Sequence, residues 1–318
     1  MARFRPRECM PRPIRVIRPN KLVEVTCRTV QGRFLLKPSL ELNRRILGVI
    51  GRAQRQTGLS IHAITFASNH YHLLVSPATP KQLVDFMCLI QSNIAREAGD
   101  LYDWNGKFWS RRFRDIPVSD EDEAQVERLR YCLAHGVKEG LVAHCRDWPG
   151  VHSAAALLDD EPLTGVWYDR TSLYEARRQG KRVRLSDFAT METVELTPLP
   201  CWQHLDSEEV RRRVAAMIAG IEEEHRLDRE AQGTRVVGAN AVLHRDPHQR
   251  PEGLKRGPAP RFHTATQAAW LALREHVQHF VEEFRAAVEY LKKGRPEPGF
   301  PPGSFPPNLP YVPLLEPG

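Results

Sequence analysis

The feature that most constrains this chain is a strand-like run over residues 59–76, broken once by Ser68-Asn69. Two β-rich segments joined through two polar turn formers predict an antiparallel hairpin, so the fold must be built around such a sheet. The second strand opens with His70-Tyr71-His72. Alternate side chains of a strand share a face, which puts His70, His72 and Leu74 on one side and Tyr71, Leu73 and Val75 on the other. Two imidazoles about 7 Å apart along a rigid strand can close on one divalent ion. The same tripeptide also suits two half-exposed histidines with no ligand. A hydrolase motif with histidine at every second position would need a third at position 74, where Leu74 stands.

The segments around the hairpin extend the pattern. Residues 22–30 alternate and are rich in β-branched side chains, predicting a strand, and Gln31-Gly32 predicts a turn. Ser39 is placed to cap a helix running to about Gln56, with Leu42, Ile46, Leu47 and Ile50 as its apolar stripe and Gly58 as its stop. Thr79-Pro80 opens a second helix, with Leu83, Phe86, Met87, Ile90 and Ile94 facing the core and Gly99 closing it. A fourth strand is expected over 108–118. Ser119 then caps a helix whose first turn is acidic, as the helix dipole favours. Strand, helix, strand, strand, helix, strand, helix is an α+β order of the ferredoxin-like kind, two helices covering one face of an antiparallel sheet.

Charge is distributed unevenly. Residues 1–60 hold fourteen Lys and Arg against three acids, whereas the whole chain carries a formal +7, so the remainder is slightly acidic. A basic N-terminal portion favours a polyanion partner over an inert basic tail. The six cysteines are widely spaced and none forms a C-x-x-C pair, which argues against a cysteine zinc site and for free thiols in a reducing cytoplasm. No run is apolar enough to suggest a membrane span.

On a wheel drawn for residues 120–139, Val126, Leu129, Leu133 and Val137 share one side. Tyr131 lies roughly opposite, with His135 about 40° from it, one turn on. Alone, this pair reads as a tyrosine tucked under a loop and a helix-terminal histidine. With His70 and His72, His135 would complete three nitrogen ligands and leave positions for water and a phosphate oxygen. Tyr131 would then stand beside the ion. A phenol has a pKa near 10 and needs such a neighbour to act as a nucleophile at neutral pH.

At this point the residues resemble the single-tyrosine HUH transposases, most closely the REP-associated tyrosine transposases. The resemblance runs through Arg28-Thr29-Val30-Gln31-Gly32-Arg33-Phe34, Ser68-Asn69-His70-Tyr71-His72-Leu73, Phe108-Trp109 and Tyr131-Cys132-Leu133-Ala134-His135-Gly136-Val137, and ends near Trp148-Pro149-Gly150-Val151. It covers roughly residues 20–155. It implies a ferredoxin-like catalytic domain with metal ligands His70, His72 and His135, a catalytic Tyr131, and a divalent metal, Mg²⁺ or Mn²⁺. Many relatives have Asn-Pro-Val where this chain has His135-Gly136-Val137. Three imidazoles would also suit Zn²⁺. The implied reaction is cleavage and transfer of single-stranded or hairpin DNA through a 5′-phosphotyrosine.

Phe108, Trp109, Arg111, Arg112, Phe113 and Arg114 interleave rings and cations, as base stacking and a phosphate track require. They equally suit a strand with its aromatics in the core. Arg28 and Arg33 flank the turn and could grip a hairpin stem. Arg245, Arg250, Lys255, Arg256 and Arg261 either extend that surface or solvate a loop. The expected organisation is a basic arm (1–20), a transposase-like domain (21–160), a helical extension (161–294) with long helices over 206–229 and 267–293, and a Pro-rich tail (295–318). The chain is expected to act as a monomer or homodimer. The competing readings are a DNA-binding protein on the same scaffold without catalysis, and a metal-dependent phosphodiesterase acting on RNA.

Overall fold

The structure, a computed structural model, describes residues 14–252, 260–293 and 299–306. Most of the basic arm, Lys255, Arg256 and most of the Pro-rich tail lie outside the described residues.

The chain builds β1 (Val23–Arg28), α1 (Leu40–Thr57), β2 (Ser60–Phe66), β3 (His70–Ser76), α2 (Pro80–Tyr102), β4 (Arg114–Pro117) and α3 (Asp122–Leu133) in turn. The four strands form one antiparallel sheet in the order β2-β3-β1-β4. This is the expected α+β, ferredoxin-like arrangement. Strand alternation sorts the sheet's two faces. Val23, Val25, Cys27, Tyr71, Leu73 and Val75 join the α1 and α2 stripes in one core. Leu22, Ala63 and Leu74 join α3 on the opposite face.

Local chemistry sets the helix ends. Ser39 accepts from the Leu42 N–H and Thr79 from the Gln82 N–H, while Gly58 ends α1 with φ of 68°. Gly99 does not close α2, which continues to Tyr102. A Cβ at Gly99 would lie 2.9 Å from the Trp104 carbonyl oxygen, so this glycine allows a close approach rather than a stop.

The fourth strand is shorter than its pattern. Trp109 bridges Thr29, the chain leaves the ladder, and β4 resumes at Arg114. Phe108 and Phe113 both enter the core beneath α1 and α2. An odd spacing cannot place both on one face of a continuous strand, so the interruption resets the register and turns Arg111 and Arg112 to solvent. The cap of α3 is Glu121, and Ser119 donates its hydroxyl to that carboxylate instead.

After α4 (Ala154–Asp159) comes a hairpin that its sequence did not announce, β5 (Leu163–Tyr168) and β6 (Ala189–Val194), enclosing α5 (Arg170–Arg178). It lies against α1 at backbone contact: a Cβ on Gly48 would fall 2.1 Å from the Val166 carbonyl, and one on Gly165 would fall 2.2 Å from the Arg44 oxygen. Buried Glu97 of α2 ties Arg45 of α1 to Arg170 of α5.

Three further helices follow, α6 (Ser207–Gln232), α7 (Ala239–Leu243) and α8 (Gln267–Lys292). The stripe Val210, Val214, Ile218 and Ile221 of α6 shares one core with Leu129 and Leu133 of α3. Among the described residues, no helix is long and apolar enough to cross a membrane.

Candidate functional site

Strand register lays out the site face of the sheet. Thr65, His72, Thr26 and Arg114 face one another across β2, β3, β1 and β4, and His70 lies opposite Arg28 in the neighbouring row. Helix α3 crosses this face.

The third histidine reaches the site from beyond the helix. α3 stops at Leu133, and His135 sits in the following turn ahead of Gly136, whose φ is 92°. A Cβ at Gly136 would come within 2.9 Å of the Trp148 ring, and Trp148 is itself held by its indole N–H on the Phe66 carbonyl. Glycine and the Trp148-Pro149-Gly150 segment thus seat the turn, and the turn aims His135. The expectation that His135 rides on the helix is corrected here, while its proximity to Tyr131 holds: their ring centroids are 5.1 Å apart.

His70, His72 and His135 converge, with centroid separations of 5.1, 5.3 and 4.6 Å for the three pairs. One ring nitrogen of each lies within 4.8 Å of those of the other two, a span one metal ion can bridge. Tyr131 stands beside them, 5.4 Å from His72 by ring centroids.

The electrostatics suit a cation. His135 is buried, and neither of its ring nitrogens has a hydrogen-bond partner. Such orphaned groups are uncommon in an interior and cost about 1–3 kcal/mol each when nothing satisfies them. Burial pushes His135 down to about 4, against the pull of Glu139. Burial, then the neighbouring His72 and His135, hold His70 well below its usual range. Both therefore present neutral, lone-pair-bearing rings at neutral pH. The donor set fits a divalent transition ion.

Several contributors were not singled out from sequence. Glu24 is buried beneath the site, with Oε1 2.6 Å from His72 Nδ1 and Oε2 2.5 Å from His263 Nε2. Burial would raise its carboxyl, but the two imidazoles outweigh this and hold it well below the usual carboxylate range. Glu139 accepts from the Gly136 N–H and lies 3.2 Å from His135 Nδ1. His135 and the other contacts offset burial and draw its carboxyl down to about 2. Lys138 Nζ sits 3.5 Å from the centroid of the Tyr131 ring and the Arg128 guanidinium 4.7 Å away. The available signals were a lone carboxylate in an alternating strand (Glu24) and an acid four residues after a histidine (Glu139). His263 gave none.

The expected nucleic-acid residues divide. Arg28 and Arg114 flank the histidines on the site face. Arg111 and Arg112 are exposed at the strand interruption. Trp109 is half-buried, its indole N–H on the Gln91 carbonyl and its ring edge-on to Tyr71, so it packs the sheet against α2. Arg33 is occupied by the His248 carbonyl and by Gln31, and lies over Trp104.

The family model described as "Transposase IS200 like" matches residues 28–130. No curated protein matches the chain. Among solved structures, the chain is similar to a REP-associated tyrosine transposase bound to a REP hairpin, at 17% identity with a TM-score of 0.37, over 48% of this chain and 82% of that one. It is also similar to a Deinococcus radiodurans structure described as a transposase, at 20% identity with a TM-score of 0.26, over 36% of this chain and 92% of that one. The geometry of the site, rather than these distant likenesses, carries the argument about chemistry. The likeness to the IS200-like transposases in sequence is confined to residues 28–130 of this chain.

Proposed function

We propose that this protein cleaves and transfers single-stranded or hairpin DNA, with Tyr131 as the nucleophile and His70, His72 and His135 as the ligands of a divalent metal. The observation that carries this reading is the convergence of three imidazoles and one phenol from a sheet, the helix that crosses it and the turn that follows that helix. The bound ion would supply Lewis-acid polarisation of a phosphate oxygen. Arg28, Arg114, Arg128 and Lys138 surround the pocket with positive charge, which suits a phosphodiester and the charge that builds on it during displacement. The Tyr131 oxygen would attack phosphorus in line, the 3′ oxygen would leave and take up a proton, and the strand would remain joined as a 5′-phosphotyrosine. A different 3′ hydroxyl attacking that ester would restore the phenol and complete strand transfer. Because the ester keeps the phosphodiester energy, no nucleotide cofactor is required. The domain reading that goes with this is a catalytic unit over 21–160 and an extension beyond it.

The test is incubation of the full chain with Mn²⁺ and labelled single-stranded hairpins, read on a denaturing gel. A covalent adduct that disappears in Tyr131→Phe is the expected result. An adduct that survives Tyr131→Phe overturns the assigned nucleophile. Binding to hairpins without an adduct on any substrate makes the protein a non-catalytic binder, and ribonucleotide cleavage without an adduct makes it an RNA phosphodiesterase.

A further inference from the structure

Each histidine of the cluster has an oxygen acceptor beside Nδ1, in hydrogen-bond contact for His70 and His72, and the acceptors come from three different segments. His72 Nδ1 lies 2.6 Å from Glu24 Oε1. An ionised carboxylate only accepts, so this nitrogen carries the proton. His70 Nδ1 lies 2.7 Å from Asn69 Oδ1. The Asn69 amide nitrogen donates to the Gly32 carbonyl, which fixes the amide with its oxygen toward His70, so again Nδ1 is the protonated nitrogen. His135 Nδ1 lies 3.2 Å from Glu139 Oε1, within ion-pair distance though outside hydrogen-bond geometry, while Glu139 Oε2 is anchored by the Gly136 N–H. By elimination the nitrogen left for an ion on His70 and His72 is Nε2, and the Glu139 carboxylate beside Nδ1 favours the same choice on His135. The other group in the cluster, Tyr131, is a phenol. No carboxylate is among the three converging donors.

We propose that Glu24, Asn69 and Glu139 are positioning residues that hold His70, His72 and His135 in the Nδ1–H tautomer, and that the resulting all-imidazole site takes ions of the Mn²⁺-to-Zn²⁺ series in preference to Mg²⁺. The inference rests on the metal-centre reading above. Mg²⁺ demands oxygen ligands in an octahedral shell and gives up water reluctantly. Imidazole favours transition ions, with affinity rising along the series toward Cu²⁺. An acceptor on the far nitrogen of a ligating histidine fixes its tautomer and raises its basicity. Glu24 also links the site to the rest of the chain. Its second oxygen meets His263, whose own backbone is tied into the end of the sheet by hydrogen bonds to Pro117 and Ser119, and Arg128 of α3 lies 3.8 Å from that same oxygen.

The experiment is a Mn²⁺ titration of the DNA-free full chain, followed by electron paramagnetic resonance, then competition with Zn²⁺ and with Mg²⁺. The expected result is one Mn²⁺ per chain, displaced by Zn²⁺ at equal concentration and retained in a hundredfold excess of Mg²⁺. Glu24→Ala weakens Mn²⁺ binding 10–100-fold, and Glu24→Gln, which keeps an acceptor oxygen, recovers most of the loss. Nitrogen NMR of the metal-free wild type reads the tautomers of His70 and His72 directly, with no variant that could misfold. If neither Mn²⁺ nor Zn²⁺ binds, the metal-centre reading fails. If Mn²⁺ binds but Mg²⁺ displaces it at similar concentration, or the two rings carry their protons on Nε2, or Glu24→Ala leaves the affinity unchanged, that reading stands and the present proposal is overturned.

Discussion

His135 exchanges its usual proton affinity for a place in the interior. Its ordinary value near 6.5 falls to about 4, and that of nearby His152 falls likewise to about 4, burial being the largest cause in both. Between those limits the unfolded chain binds protons that the folded chain excludes, so acid favours unfolding. Metal-free protein is therefore expected to lose thermal stability as pH drops from 6.5 toward 4. Buried His135 alone contributes up to roughly 3 kcal/mol of that loss by pH 4. Glu139, drawn down to about 2, has the opposite history: its stabilisation persists above 4.5 and is lost only on further acidification. Melting temperatures between pH 7 and 4.5 should fall, and His135→Gln should flatten the slope; a slope unchanged in that variant would contradict the burial argument. Arg114 belongs to this scale too. It shares the cross-strand row with His72 and Thr26 and makes no ion pair among the described residues. If it meets a DNA phosphate, Arg114→Ala should reduce the salt dependence of single-strand binding by about 0.7 in the log–log slope. A parallel drop in affinity at every salt concentration would place it elsewhere.

At the scale of elements, α1 is held from two sides, by the sheet and by the β5–β6 hairpin. The hairpin side uses missing side chains. Gly48 and Gly165 let backbones touch, so Gly48→Ala forces a methyl group into the Val166 carbonyl. Helix propensity alone would gain about 1 kcal/mol from that substitution. The overlap should overwhelm the gain, giving a net loss of about 2–3 kcal/mol in chemical denaturation; a stabilised variant would mean that the hairpin does not seat there. These two glycines could not be read in advance. An isolated glycine in a helix pattern looks like a tolerated defect, and the partner that makes it necessary is more than a hundred residues away. The β3 histidines were legible for the opposite reason, since period-2 alternation is local. The fourth strand was only half legible: its composition was right, but the odd spacing of Phe108 and Phe113 demanded an interruption that propensity does not register.

For the whole molecule, one core is shared by the stretch 21–160 and the extension beyond it. The core on the site face draws Leu129, Cys132 and Leu133 from α3 and Val210, Val214, Ile218 and Ile221 from α6. A fragment ending at residue 160 would leave that side of α3 uncovered, and α3 carries Tyr131. Such a fragment is expected to bind hydrophobic dyes and lack a cooperative melt, whereas the full chain should show one transition by calorimetry. A fragment that melts cooperatively would make the later helices an appendage.

What the sequence determined by itself was whatever depends on neighbours along the chain. That includes the hairpin and its two histidines, the capped helices, the ferredoxin-like order, and the spacing that puts Tyr131 near His135. The tertiary structure alone decided that Glu24 meets His72, that His263 reaches Glu24, that Trp109 packs rather than projects, and that Arg33 is occupied by His248. Those contacts join residues tens to hundreds of positions apart. They exist because a close-packed interior brings specific surfaces together and requires each buried polar group there to find a partner.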